Sequence, residues 1–396
     1  MTSLNPLDFD LVVVFGVVIV TALVARATQL PITALEILAG ILLAFFFSFQ
    51  LPVGTDAILT LGALLIVFLA GIETNVAFLR AHFRKAMVMG LGGFLVPFVG
   101  LLLVLVYVVR APLLVSVIGA TVLADTSISI VYTTLQQYDL TNLPFGRLVL
   151  AATLSVNLVE DLAITTTTFL SAPAFVFTLG VLAALAVAAI LLPRLARRVS
   201  GPGSPVTFSN LPARTLLFSL ALLALLSALV GVPGILFVFL MGLIFSQWVD
   251  EPFIVDMRKL AFALFVPVYF LAVGLRVDLG FVLANWPLLI VLAGAATVLK
   301  IAAIFPLAAR FMGRRLAGPV SVLMNARLTS ATVILVLTLG LGLLTSRWYS
   351  LFVTVVALLA LGSSISLRGF DGFRSTQGAR ALFGGGRTPS EGLPTT

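Results

Sequence analysis

Long apolar runs, separated by short polar connections, account for most of this chain. A transmembrane helix needs about 20 predominantly apolar residues, and runs of roughly 17 to 27 residues fit that length. The pattern therefore predicts an all-α, polytopic membrane protein with about thirteen transmembrane helices. The predicted spans are approximately 10–27, 31–49, 56–73, 84–109, 113–136, 145–171, 175–193, 213–230, 233–247, 259–280, 287–309, 317–344 and 348–367.

The composition supports a bilayer as the solvent for these runs. Hydrophobic residues make up 61% of the 396 residues, charged residues only 10%, and the mean hydropathy is +1.22. A soluble domain of this size has too little interior to bury so much apolar surface. The chain has no cysteine and a single histidine, His82, which lies in a polar connection. Thiolate sites are excluded, a histidine metal site has almost no support, and we expect neither a cofactor nor an enzyme active site.

The basic residues indicate how the chain is oriented. With the N-terminus outside, 18 of the 23 Lys and Arg residues fall in inward connections or in the C-terminal segment, as the positive-inside rule requires. We therefore predict a multi-pass protein of the inner (plasma) membrane with a cytoplasmic C-terminus. The formal charge of +8 then reflects topology, and no nucleic-acid partner is expected. Residues 373–396 are polar and glycine-rich, which predicts a disordered cytoplasmic tail.

A few charged residues lie inside the apolar spans, where each costs about 2.5 to 3.5 kcal/mol on insertion scales. A sequence without a use for such residues would lose them, so they are the main functional signal of this chain. Two of them are adjacent, in "SVNLVEDLAITTTT" at 155–168. The charged residues within spans are Glu36, Asp125, Glu160, Asp161, Lys300 and Arg327.

The two halves of the chain resemble each other at a constant separation. Three segments match at an offset of 202 residues, which pairs Gly40 with Gly242 and Asp125 with Arg327. Spans 2 to 6 would then recur as spans 9 to 13 in the opposite orientation, because one unit begins on an even span and the other on an odd span. Inverted repeats with interrupted helices are an architecture of secondary transporters.

The fifth and twelfth spans carry the candidate interruptions. "GATVLADTSISI" and "LMNARLTSATVI" are rich in small and hydroxyl residues and hold one charge each. Two crossed broken helices would bring their polar ends together in a low dielectric. There Asp125 would compensate the N-terminal ends, and Arg327 or Lys300 the C-terminal ends. The alternative is that both spans are continuous and their hydroxyls bond back to helix carbonyls.

The acidic pair suggests a cation site. Asn157 lies one turn before Asp161 on the same helix face, and Thr126 and Ser127 come from the predicted break. Carboxylate, amide and hydroxyl oxygens together suit a small hard cation, which places Na⁺ at Asp161. A buried carboxylate also binds protons, so a cation and a proton can compete for Asp161.

Lys300, in "AATVLKIAAIF", needs an acidic partner when it is buried, and Glu160 is the predicted one. This pair is either purely structural or part of the proton cycle. In the second case cation binding loosens the pair and Lys300 releases a proton, so that two protons move per cation.

These residues resemble the bacterial monovalent cation:proton antiporters, the family that includes NapA-like sodium/proton and Kef-like potassium/proton transporters. The resemblance covers about residues 30 to 370 and rests on "LEILAGILL", "LIVFLAGIET", "ADTSISI", "VEDLAI", "YFLAVGLRVDL" and the later Lys300. It implies elevator-like exchange by a homodimer, with a transmembrane domain at 1–372. Within that domain it implies a dimerisation part at about 10–73 and 213–280 and a core ion-translocation part at about 84–171 and 287–370.

The resemblance also implies roles for individual residues. Asp161 matches the shared cation and proton site, and Glu160 matches the variable position before it. Thr126 and Ser127 match the polar pair of the broken helix, and Lys300 matches the lysine that pairs with the acidic motif.

Several alternatives stay open at the level of the sequence. An ungapped match to the family would place Asn157 where the key acid is expected. The transported ion is Na⁺, Li⁺ or K⁺, with Na⁺ favoured over the K⁺ of a Kef-like efflux system. A cation channel is a further alternative. An intramembrane aspartyl protease is a remote one, since Asp125 and Asp161 qualify by type but no Gly-x-Gly-Asp follows.

Overall fold

The computed structural model describes residues 6–49, 51, 56–72, 83–141, 143–168, 238, 241–242 and 251–370. No strand occurs within these ranges, and π-helical turns at Val104–Val108 and Ala261–Phe265 continue two of the helices. The helices are α1 (Pro6–Thr28), α2 (Ile32–Phe47), α3 (Asp56–Ile72), α4 (Phe83–Leu103), α5 (Leu113–Ala124), α6 (Ile128–Gln137), α7 (Pro144–Thr168), α8 (Glu251–Leu260), α9 (Val266–Leu275), α10 (Leu279–Ala284), α11 (Trp286–Met312), α12 (Arg314–Leu323), α13 (Thr329–Gly340) and α14 (Ser346–Leu367).

The helices coincide with the predicted spans wherever the structure describes them. Six stretches of the described chain are long and apolar enough to cross a membrane, and α2, α13 and most of α3 are shorter apolar helices. The all-α, polytopic prediction is therefore confirmed. The predicted spans at 175–193 and 213–230, most of 233–247, and the predicted tail at 373–396 lie outside the described residues, so the total of thirteen stays a prediction.

Both predicted interruptions are present, and the continuous alternative is wrong. Helix α5 ends at Ala124 and α6 begins at Ile128, whereas α12 ends at Leu323 and α13 begins at Thr329. The two non-helical segments meet, because the amide of Ser127 donates a hydrogen bond to the carbonyl of Ala326 at 2.8 Å. Irregular backbone of this kind survives at membrane depth only where protein groups satisfy it.

Glycines let the helices of one group touch backbone to backbone. A Cβ added at Gly40 of α2 would overlap the carbonyl oxygen of Leu271 in α9, and one at Gly274 of α9 would overlap the carbonyl oxygen of Ile37. Helix α9 also packs on α3. Small residues allow this close approach between membrane helices, where van der Waals packing replaces the hydrophobic effect as the driving force.

The same contact recurs in the other half of the chain, which supports the predicted inverted repeat. A Cβ at Gly242 would overlap the carbonyl oxygen of Phe68 in α3, with Gly71 and Ile72 also close. These α3 residues correspond to Leu271, Gly274 and Leu275 around Gly40, at an offset of 203 rather than the predicted 202. The shift arises because close packing aligns Gly71 with Gly274, whereas the predicted repeat pairs "FLAGIET" at 68–74 with "FLAVGLR" at 270–276, one residue earlier.

A second group of helices forms around α4. Helix α4 packs on α5, α7 and α11, and α11 packs on α12. Helix α14 contacts members of both groups, including α2 and α5. Large apolar side chains such as Val12, Leu23 and Phe47 are exposed along the outer helices α1 and α2, as expected for surfaces that face lipid.

Replacing Gly40 with Ala should destabilise the protein by about 1 to 3 kcal/mol, because the new methyl group forces α2 and α9 apart. Gly294→Ala in α11 is the matched control, since nothing lies within 4 Å of a Cβ at that position. The control should be neutral or slightly stabilising, because Ala is the better helix former. Thermal unfolding in detergent measures both variants, and equal melting temperatures would contradict the close α2–α9 contact.

Candidate functional site

Side-chain hydroxyls join the two helix breaks. The Thr126 hydroxyl donates to the carbonyl of Met324 at 2.9 Å, and the hydroxyls of Ser127 and Thr329 lie 3.0 Å apart and share a hydrogen bond. Ser127 and Thr329 differ by the 202 residues of the predicted repeat, so they are equivalent positions that meet near the repeat axis. All three residues are buried.

Lys300 binds the end of α5. Its ammonium donates hydrogen bonds to the carbonyls of Ala124 at 2.6 Å, Asp125 at 3.1 Å and Gly93 at 2.9 Å. The first two are the carbonyls that the break leaves without an intrahelical partner, and they form the negative end of the α5 dipole. A fully buried lysine therefore compensates a helix terminus and at the same time connects α11 to α4 and α5.

Arg327 reaches the same break from the opposite repeat. Its Nε donates to the carbonyl of Asp125 at 3.3 Å, and its Nη2 donates to the carbonyl of Ala296 at 3.0 Å. The side chain is completely buried. Because Asp125 and Arg327 are repeat equivalents, the crossing carries one acid and one base at matching positions.

Two acids complete the buried set. Asp125 accepts a hydrogen bond from the amide of Thr126. Its carboxyl group faces that of Glu160 in α7 closely enough for the two to interact, and Lys300 and Arg327 attract it electrostatically. Two carboxylates at close range repel each other unless a proton or a cation neutralises one of them. With Lys300 and Arg327 beside them, the two acids and two bases of this buried set balance in formal charge.

The remaining predicted residues lie on α7, which packs against α4, α5 and α6. Asn157 is buried, and its amide oxygen has no hydrogen-bond partner in the described chain. Asp161 follows Glu160 in the same helix, but its side chain lies outside the described part of the structure. The structure thus brings Thr126, Ser127, Asp125, Glu160, Lys300 and Arg327 to one crossing, and their roles in ion binding stay predictions.

The predicted pairing of Lys300 with Glu160 stays a prediction. Lys300 donates hydrogen bonds to three backbone carbonyls, and both Glu160 and Asp125 attract it electrostatically. Two of these carbonyls end the broken helix, where no intrahelical donor can satisfy them.

Two adjacent cavities lead towards the crossing from the ends of α1 and α14. The outer cavity, of about 320 Å³, is lined by Arg26, Gln137 and Arg368 among others. The inner one, of about 110 Å³, shares lining residues with it and extends to Thr329. Arg26 and Arg368, which the predicted orientation places on the inward side, therefore line the outer cavity, and Thr329 beside the second helix break lines the inner one.

Some groups at the crossing escaped the sequence analysis. Thr329 could have been found, because it is the repeat equivalent of Ser127. Gly93 acts through its backbone carbonyl, which no side-chain pattern can reveal. The further buried acid, Glu36 in α2, has no hydrogen-bond partner for either carboxyl oxygen in the described chain, and its repeat equivalent Val238 is buried and apolar.

Lys300→Met should lower the free energy of unfolding by about 3 to 5 kcal/mol, because it removes a buried charge on which three carbonyls and two acids depend. Lys259→Met is the control, since the Lys259 side chain is 72% exposed and pairs with the equally exposed Asp256 at 3.2 Å. A surface pair contributes at most about 1 kcal/mol. Denaturant unfolding in detergent, followed by tryptophan fluorescence, compares the two, and equal losses would contradict the structural role of Lys300.

Comparison with known proteins agrees with this geometry. A probable Na⁺/H⁺ antiporter 3 from Methanocaldococcus jannaschii is 26% identical over 321 residues, which cover 77% of this chain and 80% of that protein. A Na⁺/H⁺ antiporter from Enterococcus hirae is 25% identical over 328 residues, covering 78% and 83%. The solved sodium proton antiporter MjNhaP1 from M. jannaschii, determined at pH 8, has the same fold. Its TM-score is 0.68 at 12% identity, over 95% of this chain and 99% of that one.

The resemblance to monovalent cation:proton antiporters is thereby confirmed. A family model described as "Sodium/hydrogen exchanger, transmembrane" matches residues 13–370, which is nearly the whole chain. This multi-pass membrane protein therefore belongs to the sodium/hydrogen exchanger family.

Proposed function

We propose that this protein exchanges Na⁺ for protons across the membrane, with Asp161 as the carboxylate that binds either ion. The observation that carries the proposal is the cluster of buried charges at two crossed helix breaks, with acids in the α5–α6 break and on α7 and bases on α11 and in the α12–α13 break. Charges in a membrane interior mark ion pathways and proton relays. The matching family and the names of the relatives favour Na⁺ over K⁺.

Competition for one site is sufficient for exchange. When Asp161 is ionised, its carboxylate can bind Na⁺ with the Asn157 amide oxygen and the hydroxyls of Thr126 and Ser127 as further ligands. When it is protonated, the charge that attracts Na⁺ is gone and the cation leaves. Only loaded states then cross the membrane, and each crossing carries either a cation or a proton. A proton or Na⁺ bound from solution neutralises Asp161 in either loaded state. The contacts of Lys300 and Arg327 therefore need not change.

Access and movement follow from the packing. The cavities between α1, α2, α6 and α14 reach Thr329, which supports access to the site from the side that carries Arg26 and Arg368. By the positive-inside rule this side is the cytoplasm, with the N-terminus outside. The helices form one group around α9 and another around α4. We propose that the α4 group moves against the α9 group, elevator-like, and that the α9 group provides the homodimer interface in the plasma membrane.

The alternative functions, a cation channel and an intramembrane protease, have less support than ion exchange. The family is one of transporters, which favours exchange over a channel or an intramembrane protease. Asp125, one of the two acids a protease would need, contacts Thr126 and faces Glu160, and its backbone carbonyl is bound by Lys300 and Arg327. Potassium transport is a possible outcome of the assay below, which compares the ions directly.

Asp161→Asn should abolish exchange, because an amide can neither release a proton nor attract a cation by charge. Proteoliposomes with an acidic interior and a pH-sensitive dye report the loss of the pH gradient when Na⁺, Li⁺ or K⁺ is added. Asp256→Asn is the matched control, since Asp256 lies exposed on α8 and pairs with the exposed Lys259. Exchange in Asp161→Asn as fast as in the wild type would sink the assignment of this site.

The stoichiometry should be one proton per Na⁺, because Lys300 keeps its proton to donate three hydrogen bonds to carbonyls. Exchange rates at imposed membrane potentials test this, since one-for-one exchange moves no net charge and its rate should not follow the voltage. An accelerated rate at a driving potential, lost in Lys300→Gln, would instead make Lys300 a second proton carrier.

A further inference from the structure

Both hydroxyls of the first helix break have their hydrogen-bond partners in the second break. The Thr126 hydroxyl donates to the carbonyl of Met324 at 2.9 Å. The Ser127 hydroxyl shares a hydrogen bond of 3.0 Å with the hydroxyl of Thr329. Met324 follows α12, and Thr329 is the first residue of α13. The α12–α13 break therefore surrounds the two hydroxyls that the proposed function makes ligands of Na⁺.

A hydroxyl that binds a cation must donate its own proton to another group. It has one proton and two lone pairs, and the cation occupies a lone pair. A proton without an acceptor would be buried without a partner and would lie close to the positive charge of the cation. For Thr126 the direction is fixed, because the Met324 carbonyl can only accept. The Thr126 lone pairs therefore remain free for a cation.

For Ser127 the direction of the hydrogen bond depends on Thr329, because either hydroxyl of the pair can donate. Within the described residues the Ser127 hydroxyl has no other hydrogen-bond partner, and it is fully buried. If Thr329 were the donor, the Ser127 proton would have no acceptor and would lie beside the bound cation. Cation binding at Ser127 therefore requires that Ser127 donates and Thr329 accepts.

Thr329 has a second partner available for its own proton. It lines the inner cavity of about 110 Å³, together with the hydroxyl residues Ser129 and Thr133. A water molecule needs only about 10 to 15 Å³ of such volume, so this cavity has room for solvent. Thr329 can thus accept from Ser127 on one side and donate to solvent on the other.

We infer that Thr329 is a positioning residue of the cation site, which accepts the hydroxyl proton of Ser127 and so directs a Ser127 lone pair at Na⁺. This inference rests on the proposed function, in which Ser127 is a ligand of Na⁺. Groups behind the direct ligands fix the orientation of those ligands, and losing one typically weakens metal binding about 10- to 100-fold. The two repeat-equivalent hydroxyls thus have different roles, because Ser127 binds the cation and Thr329 orients Ser127.

Thr329→Val tests the inference, because it removes the acceptor while preserving the shape of the side chain. In proteoliposomes the KM for Na⁺ should rise about tenfold, whereas the maximal rate should stay unchanged because Asp161 is intact. Thr329→Ser should restore the KM, because it keeps the hydroxyl. Thr338→Val is the matched control, since that hydroxyl is buried in the same helix and donates to Ile334 at 2.7 Å. It should have the KM of the wild type.

A double-mutant cycle separates positioning from a general structural role. Ser127→Ala alone should raise the KM for Na⁺, because it removes a ligand. Adding Thr329→Val to Ser127→Ala should raise the KM no further, since Thr329 acts only through Ser127. Three results would overturn the inference: a wild-type KM in Thr329→Val, an equally large further rise in the Ser127→Ala background, or a KM that Thr329→Ser does not restore. If Thr329→Val does not fold, Thr329→Ala provides the same comparisons.

Na⁺ binding without transport keeps this inference separate from the proposed function. The Na⁺ concentration that half-maximally raises the melting temperature in detergent measures binding alone. A wild type that binds Na⁺ but moves no protons contradicts the exchange function, and the same cycle measured on binding then decides the role of Thr329. Normal exchange together with independent effects of Ser127→Ala and Thr329→Val contradicts only the positioning role.

Discussion

A helix broken inside a membrane leaves carbonyls that no water can satisfy, and in this protein buried cations satisfy them. Lys300 binds the last carbonyls of α5 together with a carbonyl of α4, and Arg327 binds a carbonyl of α5 together with one of α11. The carbonyls of the break stabilise the charged side chains of Lys300 and Arg327, and these side chains in turn stabilise the break. Removing either partner leaves the other uncompensated in a low dielectric, so the site and the fold depend on the same contacts.

The repeat explains why these charges have opposite signs in the two halves. Residues that are repeat equivalents and lie near the repeat axis are neighbours in space, as Ser127 and Thr329 show. Two hydroxyls tolerate this proximity, because each can donate or accept. Two identical charges would repel each other there, so Asp125 in one half meets Arg327 in the other. The two helix breaks lie at equivalent positions of the repeat, whereas the charges at their centre have opposite signs.

This construction separates a fixed part of the site from an exchangeable part. Lys300 and Arg327 are held by backbone carbonyls, which do not titrate. The acids are arranged differently, because Asp125 faces Glu160 and Asp161 follows directly in α7. In the proposed exchange, Asp161 adds a third carboxylate to Asp125 and Glu160, and this surplus over the two fixed bases would accommodate one further positive charge, either a proton or Na⁺. Such a site suits the sodium/hydrogen exchanger family, to which the chain belongs.

The sequence by itself determined the spans, both helix breaks and the residue types of the buried charges. These are local properties: apolar length, small and hydroxyl residues around 125 and 327, and the cost of a charge in lipid. The tertiary structure decided that Lys300 binds the carbonyls of Gly93, Ala124 and Asp125. It also aligned Gly71 with Gly274, one residue from the pairing predicted from the sequence. Backbone carbonyls are common to all residues and close packing depends on the shape of both partners, so neither can be read from one segment of the chain.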